Sequence, residues 1–375
     1  MRCLIVIPSL KRSGAETQAV ELANGLAGKG HQVHLCSFEP ELHQRDRLAD
    51  AIRFHHVARK ARYDLSLTAR IAEVIDREGI EIVQGILQFA VLVAWMAARR
   101  SVRKPPVVAG VHTTINRGLK QELQDRLLYR WILASLPAIV FVCNYQRDHW
   151  IRKFPDLQSL ARVVHNGVDL NRFRRDEFQE AARRLRKELG IPSNAFVFAC
   201  IAAFRPEKGH RLLIEAFAQL PTDTYLILAG DGSELKTIEF IVQNSGISSR
   251  VRFLGNVADV RPVIVASDAT VLTSTAVETF SMAMLESMAL EVPMIAARIG
   301  GLPEAIIQGE TGLLFPIGDV NALRSGMKEM TGMGAQVRAM GHAAGEKIRT
   351  SYTFSAMTDR SECVLNDVLS QHLDG

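Results

Sequence analysis

The sequence lacks the features typical of secreted proteins, of proteins with a structural zinc site and of membrane-spanning proteins. Its five cysteines are scattered and form no Cys-x-x-Cys pair, which predicts free thiols in a reducing compartment, the cytoplasm, and no structural zinc. The most apolar stretch, residues 86–98, is shorter than the roughly 20 residues that a spanning helix needs, so we expect a core helix there. The opening run MRCLIVIPSL has no signal-like apolar core or cleavage site, and we expect it to form the first β-strand.

Several motifs are missing as well. No G-x-G-x-x-G follows the first strand and no acidic residue is placed for a ribose, which argues against a nicotinamide dehydrogenase. No Asp-x-Asp motif, fixed-period repeat or low-complexity tract is present. The apolar fraction of 47% is that of a folded protein, and a chain of 375 residues is about right for two domains.

The positive charge is concentrated in the first half of the chain. Residues 1–190 hold 31 Lys+Arg against 20 Asp+Glu, whereas residues 191–375 hold 14 against 20. A single basic run is as often a solvated surface, but a half this basic indicates an anionic partner, such as a phospholipid surface or a diphosphate-bearing lipid. Nucleic acid is the weakest interpretation, because no interleaved aromatics or recognised module accompany the charge. The basic runs lie at residues 58–62, 99–104, 172–175 and 183–187.

Short β-branched segments alternate with helical patterns along the whole chain. Continuously apolar strands in this order are typical of buried parallel sheets with helices on both faces. A turn at Asn166-Gly167, a basic run and a Gly-Ile-Pro break at 190–192 separate two such series. We therefore predict an α/β protein of two doubly wound, Rossmann-like domains, residues 1–180 and 181–353, facing each other across a central cleft. Ligands of such sheets bind at the carboxyl ends of the strands.

Two loops after predicted strands carry candidate phosphate ligands. Residues 13–16, SGAE, open the first helix, where backbone N–H groups suit a phosphate, although most strand–glycine–helix turns serve only as turns. Residues 204–210, FRPEKGH, place Arg205 and Lys208 three apart at the end of another strand, where they can clamp a diphosphate. The alternative for this second loop is an ordinary solvated connection.

The stretch ETFSMAMLE, residues 278–286, has a carboxylate at each end of an apolar run. A helix is predicted to begin between Thr279 and Ser281, either of which can cap it. Glu278 then precedes the helix as an acceptor for sugar hydroxyls, while Glu286 lies inside it, suited to vicinal ribose hydroxyls. The first amides of the helix are left for a phosphate. An acid that only complements the helix dipole is the alternative, and it leaves Glu286 unexplained.

His112 ends the apolar strand VVAGVH. A lone histidine is more often a structural residue than a ligand. Its place at a strand end favours a functional role.

Together these motifs resemble one known family. FRPEKGH, AGDG, VRFLGN, the stretch from TSTAVETF to GGLPEAI and then GETGLLFP are similar to the pattern of glycosyltransferase family 4, in which two glutamates eight apart form the E-x7-E signature. The similarity is strong over roughly residues 195–320 and weaker but ordered before that. It implies the GT-B fold and transfer of a sugar from a nucleotide-sugar donor with retention at the anomeric carbon. It also implies no divalent metal and no other cofactor.

The resemblance implies a role for each motif residue. Lys208 neutralises the leaving diphosphate, Glu278 holds sugar hydroxyls and Glu286 binds the ribose. His112 contacts the transferred sugar near the reacting carbon, so the expected catalytic residues are His112, Lys208 and Glu278. Further donor contacts are implied for Gly14 in the first loop, for Arg205, for Asn256 and Val257 next to the base, and for the backbone amides of Thr279, Phe280, Ser281 and Met282.

Two positions depart from the family pattern. The arginine usually five residues before the lysine is Ala203 here, so Arg205 either serves the same phosphate from a different position or only flanks it. The usual glycines after the first glutamate are Thr279 and Ser281. We interpret these two as altered donor preference rather than lost activity.

The expected function is therefore that of a hexosyltransferase-type glycosyltransferase with a donor such as a UDP- or GDP-sugar. The acceptor is expected to be lipid-linked or a surface polysaccharide and to bind the N-terminal domain, on which the last helix, residues 354–372, packs back. The basic first half predicts reversible docking on an anionic membrane, at the inner face of the plasma membrane. Two alternatives stay open: a GT-B epimerase or phosphorylase, and a non-catalytic nucleotide-sugar-binding subunit of another transferase.

Overall fold

The computed structural model describes residues 1–61, 64, 66–112, 123, 125–276 and 278–373. The chain divides into two compact units. The first unit comprises Met1–Gly167 together with Phe354–Gly375, and the second comprises Val168–Thr353. Each unit contains one sheet in which the neighbouring strands are parallel.

The first unit is built on a seven-stranded sheet in the order β3-β2-β1-β4-β5-β6-β7. Alternate residues of its first strand pack on opposite faces: Leu4 and Val6 join one buried cluster, while Ile5 and Ile7 join another. Burial on both faces explains why the strands are continuously apolar. The strands are β1 (Arg2–Ile7), β2 (Gln32–Ser37), β3 (Arg53–His56), β4 (Ile82–Ile86), β5 (Val107–Val111), β6 (Ala138–Phe141) and β7 (Ala161–Val163).

Helices follow most of these strands, as expected for a doubly wound sheet. A π-helical turn, Asp125–Tyr129, precedes the fourth of them. The helices of this part of the chain are α1 (Gly14–Gly28), α2 (Ser66–Glu78), α3 (Gln88–Arg100), α4 (Arg130–Ala134) and α5 (Asn144–Lys153).

The second unit is built on a six-stranded sheet in the order β10-β9-β8-β11-β12-β13. The chain adds β9 and β10 on one side of β8 and the later strands on the other side. The strands are β8 (Phe196–Ile201), β9 (Thr224–Ala229), β10 (Val251–Gly255), β11 (Ala269–Leu272), β12 (Met294–Ala297) and β13 (Gly312–Phe315). The helices are α6 (Gln179–Glu188), α7 (His210–Phe217), α8 (Leu235–Asn244), α9 (Arg261–Val265), α10 (Met282–Ala289), α11 (Leu302–Ala305), α12 (Val320–Gly332) and α13 (Ala335–Ser351).

The two units divide before residue 168, whereas the sequence placed the boundary near residue 180. Phe173 and Phe178 pack against a buried cluster of the second unit that includes Ile264 and Leu290. The Arg175 guanidinium also donates to the carbonyl of Leu290 at 2.9 Å. These contacts attach residues 168–180 to the second unit.

The last helix, α14 (Phe354–Leu373), belongs to the first unit. It packs against α1, where a Cβ at Gly25 would collide with Thr358. An ion pair between Lys29 and Asp359, 2.6 Å long, closes the same contact. Within the described residues, no helix combines the length and the apolarity needed to cross a bilayer.

The boundary before residue 168 also changes the net charge that is counted for each part of the chain. The basic runs at residues 172–175 and 183–187 lie in the second unit. The first unit therefore holds 25 Lys+Arg against 19 Asp+Glu, and the second holds 20 against 21. The excess of positive charge in the first unit is real but smaller than the count over residues 1–190 indicates, because that count includes part of the second unit.

Candidate active site

The strand order of the second sheet reverses between β8 and β11, which are direct neighbours. Loops that leave adjacent strands at such a point diverge and leave a crevice at the carboxyl ends of the strands. The loop after β8 carries Lys208, and the loop after β11 carries Glu278. Two of the predicted catalytic residues therefore lie at the position where ligands of open α/β sheets bind.

The loop after β8 is fastened to the loop after β11. Pro206–Lys208 form a 3-10 turn, and Gly209 follows with a φ of +69°. A Cβ at Gly209 would collide with the carbonyl of Thr273, so only glycine fits both the space and the left-handed backbone. The Thr273 hydroxyl donates to the carbonyls of Lys208 and Gly209, at 2.9 and 3.1 Å. This contact fixes the position of the lysine relative to the other loop.

Lys208 and Glu278 form a direct ion pair. The Lys208 Nζ lies 2.7 Å from Oε2 of Glu278, and the Ser274 hydroxyl donates to the same oxygen at 2.7 Å. The Glu278 side chain is 8% exposed and that of Lys208 is 23% exposed. A carboxylate this buried requires a cation or several donors, and the pair satisfies that requirement. An ammonium group carries three donors, so Lys208 can hold Glu278 and still donate to a phosphate oxygen.

The backbone of Glu278 is held from the loop after β12. Gly300 has a φ of +59°, and a Cβ there would collide with the carbonyl of Glu278. The N–H of Gly301 donates to the carbonyl of Thr279 at 2.6 Å. Three loops thus determine where the carboxylate of Glu278 lies.

Helix α10 begins directly after this loop. Ser281 is its N-cap residue, and its hydroxyl accepts a hydrogen bond from the N–H of Met284 at 3.4 Å, which confirms the predicted helix start. The Ser281 hydroxyl is therefore directed at the helix backbone. Phe280 is buried and its ring lies 5.1 Å from that of Tyr352. Because its side chain belongs to the core, Phe280 has only its backbone to offer a ligand.

Glu286 lies one turn into α10 and is half-buried, like Met282 and Ala283 on the same face of the helix. The pKa of Arg261, at the start of α9, is raised mainly by its hydrogen bond with Asp259, and Glu286 contributes to the same shift. Glu286 therefore lies within electrostatic reach of α9, while Glu278 is committed to Lys208. The two carboxylates of the motif have different surroundings.

Arg205, Asn256 and Val257 are less closely associated with the ion pair. Arg205 is exposed and lines a pocket of about 370 Å³ with residues such as His210 and Glu234; neither Lys208 nor Glu278 lines that pocket. Asn256 and Val257 follow β10, two strands away from β8. They lie at the same edge of the sheet, since the N–H of Gly230 after β9 donates to the carbonyl of Gly255 at 2.7 Å.

Gly14 and His112 lie in the first unit, after β1 and β5 respectively. Gly14 is the exposed first residue of α1, and the Ser13 hydroxyl before it donates to Glu16. Burial lowers the pKa of His112 to about 4. The imidazole is therefore neutral at physiological pH and can exchange hydrogen bonds with a hydroxyl, but it brings no charge.

The residues that hold the motif in place were not predicted from the sequence. Ser274 lies four residues before Glu278, and Thr273 and Gly300 lie within stretches that resemble the family, yet none was given a role. Two features of the sequence could have indicated them. One is the hydroxyl residue Ser274 shortly before Glu278, and the other is the Gly-Gly pair at 300–301.

Two family models together match most of the chain. The model of the family "Glycosyl transferases group 1" matches residues 181–347, and that of "Glycosyltransferase Family 4" matches residues 12–172. The lipopolysaccharide core biosynthesis glycosyltransferase LpsE of Rhizobium meliloti is 32% identical over 357 residues, which cover 93% of this chain and 94% of LpsE. The chain belongs to the family 4 glycosyltransferases. The prediction that it is a glycosyltransferase is confirmed.

A second relative and one solved structure extend the comparison over the full length. The N-acetyl-alpha-D-glucosaminyl L-malate synthase of Bacillus anthracis is 28% identical over 383 residues, 98% of this chain and 97% of that enzyme. The crystal structure of HepE from Anabaena in complex with UDP superposes with a TM-score of 0.86 at 21% identity, covering 98% of this glycosyltransferase and all of HepE. The predicted GT-B fold is confirmed.

Proposed function

We propose that this glycosyltransferase transfers a sugar from a nucleotide-sugar donor, with retention and without a metal, to a lipid-linked or surface-polysaccharide acceptor. The Lys208–Glu278 pair at the strand-order reversal of the second sheet carries the proposal. UDP in the HepE complex supports a nucleotide donor. The role of LpsE in lipopolysaccharide core synthesis supports the acceptor class.

The chemistry follows from the charge that the reaction creates. Cleavage of the sugar–phosphate bond leaves a nucleoside diphosphate, and a preorganised cation lowers the energy of that developing charge. Lys208 supplies the cation, and the backbone amides of residues 279–282 at the start of α10 add N–H donors. Glu278, already oriented by Ser274, accepts hydrogen bonds from sugar hydroxyls.

The remaining predicted residues complete the donor site. Glu286 binds the ribose, Asn256 and Val257 lie beside the base, and Arg205 flanks the diphosphate. Gly14 allows the first loop to approach the donor, and the neutral imidazole of His112 contacts the transferred sugar.

Retention is assigned to attack by the acceptor hydroxyl on the face that the diphosphate leaves. Glu278 is an unsuitable nucleophile, because its carboxylate is already bound by Lys208 and Ser274. The products of a transfer assay, analysed by NMR for the anomeric configuration, test this assignment. An inverted anomeric centre would contradict it.

Metal independence rests on the role of Lys208 as the charge that faces the diphosphate. We expect transfer to continue at full rate in excess EDTA. A rate that falls with EDTA and returns with Mg²⁺ or Mn²⁺ would contradict this part of the proposal.

The first unit provides the surface proposed to dock on an anionic membrane. Leu127, Leu128 and Trp131 are exposed by 65%, 46% and 72%, and Arg126 and Arg130 lie within the same few residues. Exposed leucine and tryptophan beside arginine are typical of segments that enter a lipid interface. Sedimentation with phosphatidylglycerol vesicles at low and high salt tests this, and indifference to both anionic lipid and salt would contradict it.

The relatives also favour a second acceptor class. The Bacillus anthracis enzyme is named for a product with L-malate, a small soluble hydroxy acid. A panel of lipid-linked glycans and hydroxy acids, offered with UDP- and GDP-sugars chosen by thermal shift, distinguishes the two classes. Donor binding without transfer to any acceptor would favour a non-catalytic subunit.

A further inference from the structure

A groove in the second unit is lined by residues from two basic runs, 172–175 and 183–187, which have no part in the proposed donor site. Its volume is about 830 Å³. Arg175, from the run at 172–175, lines it together with Arg183, Arg186 and Lys187, from the run at 183–187. Arg338 of α13 adds a fifth cation.

The groove lies at the opposite edge of the sheet from the candidate active site. Its walls include Ile191 and Ser193, which precede β8, and Val265 to Asp268, which precede β11. Lys208 and Glu278 follow the same two strands. Because β8 has six residues, the two edges are about 20 Å apart. A ligand in the groove is therefore separate from a donor at the active site.

The positive charge in the groove is not balanced by its own lining. Asp268 is the one carboxylate among the lining residues, and Arg186 holds it at 2.8 Å. Arg183 pairs with Glu180 at 3.2 Å, but both side chains are about 70% exposed, and such surface pairs are weak. Arg175 donates to backbone carbonyls and lies within electrostatic reach of Glu291 and Asp268. The second unit as a whole holds 20 basic and 21 acidic residues, so the local excess arises from placement.

The other lining residues indicate the kind of ligand. Ala182, Ile191 and Val265 form an apolar floor, and Ser193 and Ser267 add hydroxyl groups. Arginine forks match the geometry of phosphate oxygens. The volume lies within the usual range for small-molecule sites.

We propose that this groove binds a phosphate-bearing ligand with an apolar body. The phosphate contacts Lys187, Arg338 and Arg183 at the rim, and the apolar part lies on the floor. A soluble organic phosphate and the headgroup of an anionic phospholipid share this chemistry, and the two sources are distinguished by the probes below.

Helix α6 offers a matched pair of variants. Lys187 and Arg184 are both exposed cations of this helix, but only Lys187 lines the groove. We expect Lys187→Glu to weaken the binding of inorganic pyrophosphate to the full-length protein about tenfold, whereas Arg184→Glu changes it less than about twofold. Arg338→Glu, on a different helix, is expected to behave like Lys187→Glu. Isothermal titration calorimetry measures all three, with circular dichroism as the check on folding.

The same variants distinguish a soluble phosphate from a lipid headgroup, and they can also overturn the proposal. Pyrophosphate binding that Lys187→Glu weakens, with sedimentation on phosphatidylglycerol vesicles unchanged in the same variant, identifies a soluble ligand. Vesicle sedimentation that Lys187→Glu also weakens identifies a headgroup. The proposal is overturned if neither pyrophosphate binding nor vesicle sedimentation depends on Lys187, or if Arg184→Glu weakens binding as much as Lys187→Glu. Pyrophosphate binding that is lost in Lys208→Ala but unchanged in Lys187→Glu and Arg338→Glu would also overturn it, since the anion would then bind at the active site alone.

Discussion

The two units hold their predicted site residues in different ways. In the second unit, Lys208 and Glu278 are in direct contact, and the loops that carry them are bonded to each other. In the first unit, Gly14 offers helix-start amides, and His112 is a neutral imidazole whose pKa is set by burial. Among the predicted site residues, the charged side chains thus lie in the second unit, whereas those of the first unit are uncharged. Changes of charge are therefore expected to affect catalysis most in the second unit.

The largest effect is expected from Lys208→Ala. Loss of the cation that we propose for the leaving diphosphate is expected to lower kcat about 10²–10³-fold. The change also leaves a buried Glu278 carboxylate without its cation, which lowers the free energy of unfolding by about 2 kcal/mol, less than for a fully buried pair because Lys208 is partly exposed. Steady-state kinetics and denaturant unfolding measure the two effects.

The double variant Lys208→Ala/Glu278→Gln separates catalysis from folding. Replacing the orphaned carboxylate with an amide is expected to recover most of the lost stability without any recovery of turnover. Turnover that returns together with stability would show that Lys208 acts only as a structural counterion.

The second prediction concerns Gly300, whose close approach supports the backbone of Glu278 in the second unit. Gly300 and Gly190 have similar φ values, +59° and +63°, but a Cβ at Gly300 would meet the carbonyl of Glu278, whereas nothing lies within 4 Å at Gly190. Gly190→Ala adds only left-handed strain, about 1 kcal/mol. Gly300→Ala is expected to destabilise by at least about 2 kcal/mol and to lower activity, because Glu278 must move.

Denaturant unfolding of both variants tests this difference. Equal destabilisation would show that the close approach of Gly300 to Glu278 does not determine the position of the carboxylate. The comparison is informative since both glycines lie in the same unit and differ chiefly in what surrounds them.

Only part of this arrangement in the second unit could be predicted from the sequence. The loop after β8 and the cap at Ser281 were predicted, because strand ends, glycines and N-cap residues leave local signals. The ion pair between Lys208 and Glu278 joins residues 70 apart, and sequence spacing contains no distance between loops of neighbouring strands. The boundary at residue 168 depends on where Phe173 and Phe178 pack, and two apolar residues in a charged segment do not reveal that.

A third, smaller effect is expected from Glu286→Gln. Its half-buried position one turn into α10, eight residues after Glu278, predicts a role in binding rather than in the chemical step. We expect the KM for the donor to rise about tenfold with kcat changed little. Glu329→Gln, an exposed carboxylate of α12, serves as the control and is expected to change neither constant. A fall in kcat with unchanged KM would assign Glu286 to the chemical step.

The smallest expected effect is a change in the pKa of one histidine, His210 of the second unit, compared with His112 of the first. Burial lowers the pKa of His112 to about 4, and burial together with the nearby Lys208 lowers that of His210 to about 4. Both rings stay neutral in the folded protein, so their contribution to stability is present above the ordinary pKa of about 6.5 and is lost as the pH falls towards 4. Lys208→Ala removes one cause for His210 only. We therefore expect this variant to raise the pKa of His210 and to leave that of His112 unchanged, as measured by NMR titration of the imidazole protons. Equal movement of both values would mean that the charge of Lys208 acts on the two units alike, and the division between a charged second unit and an uncharged first one would then be wrong.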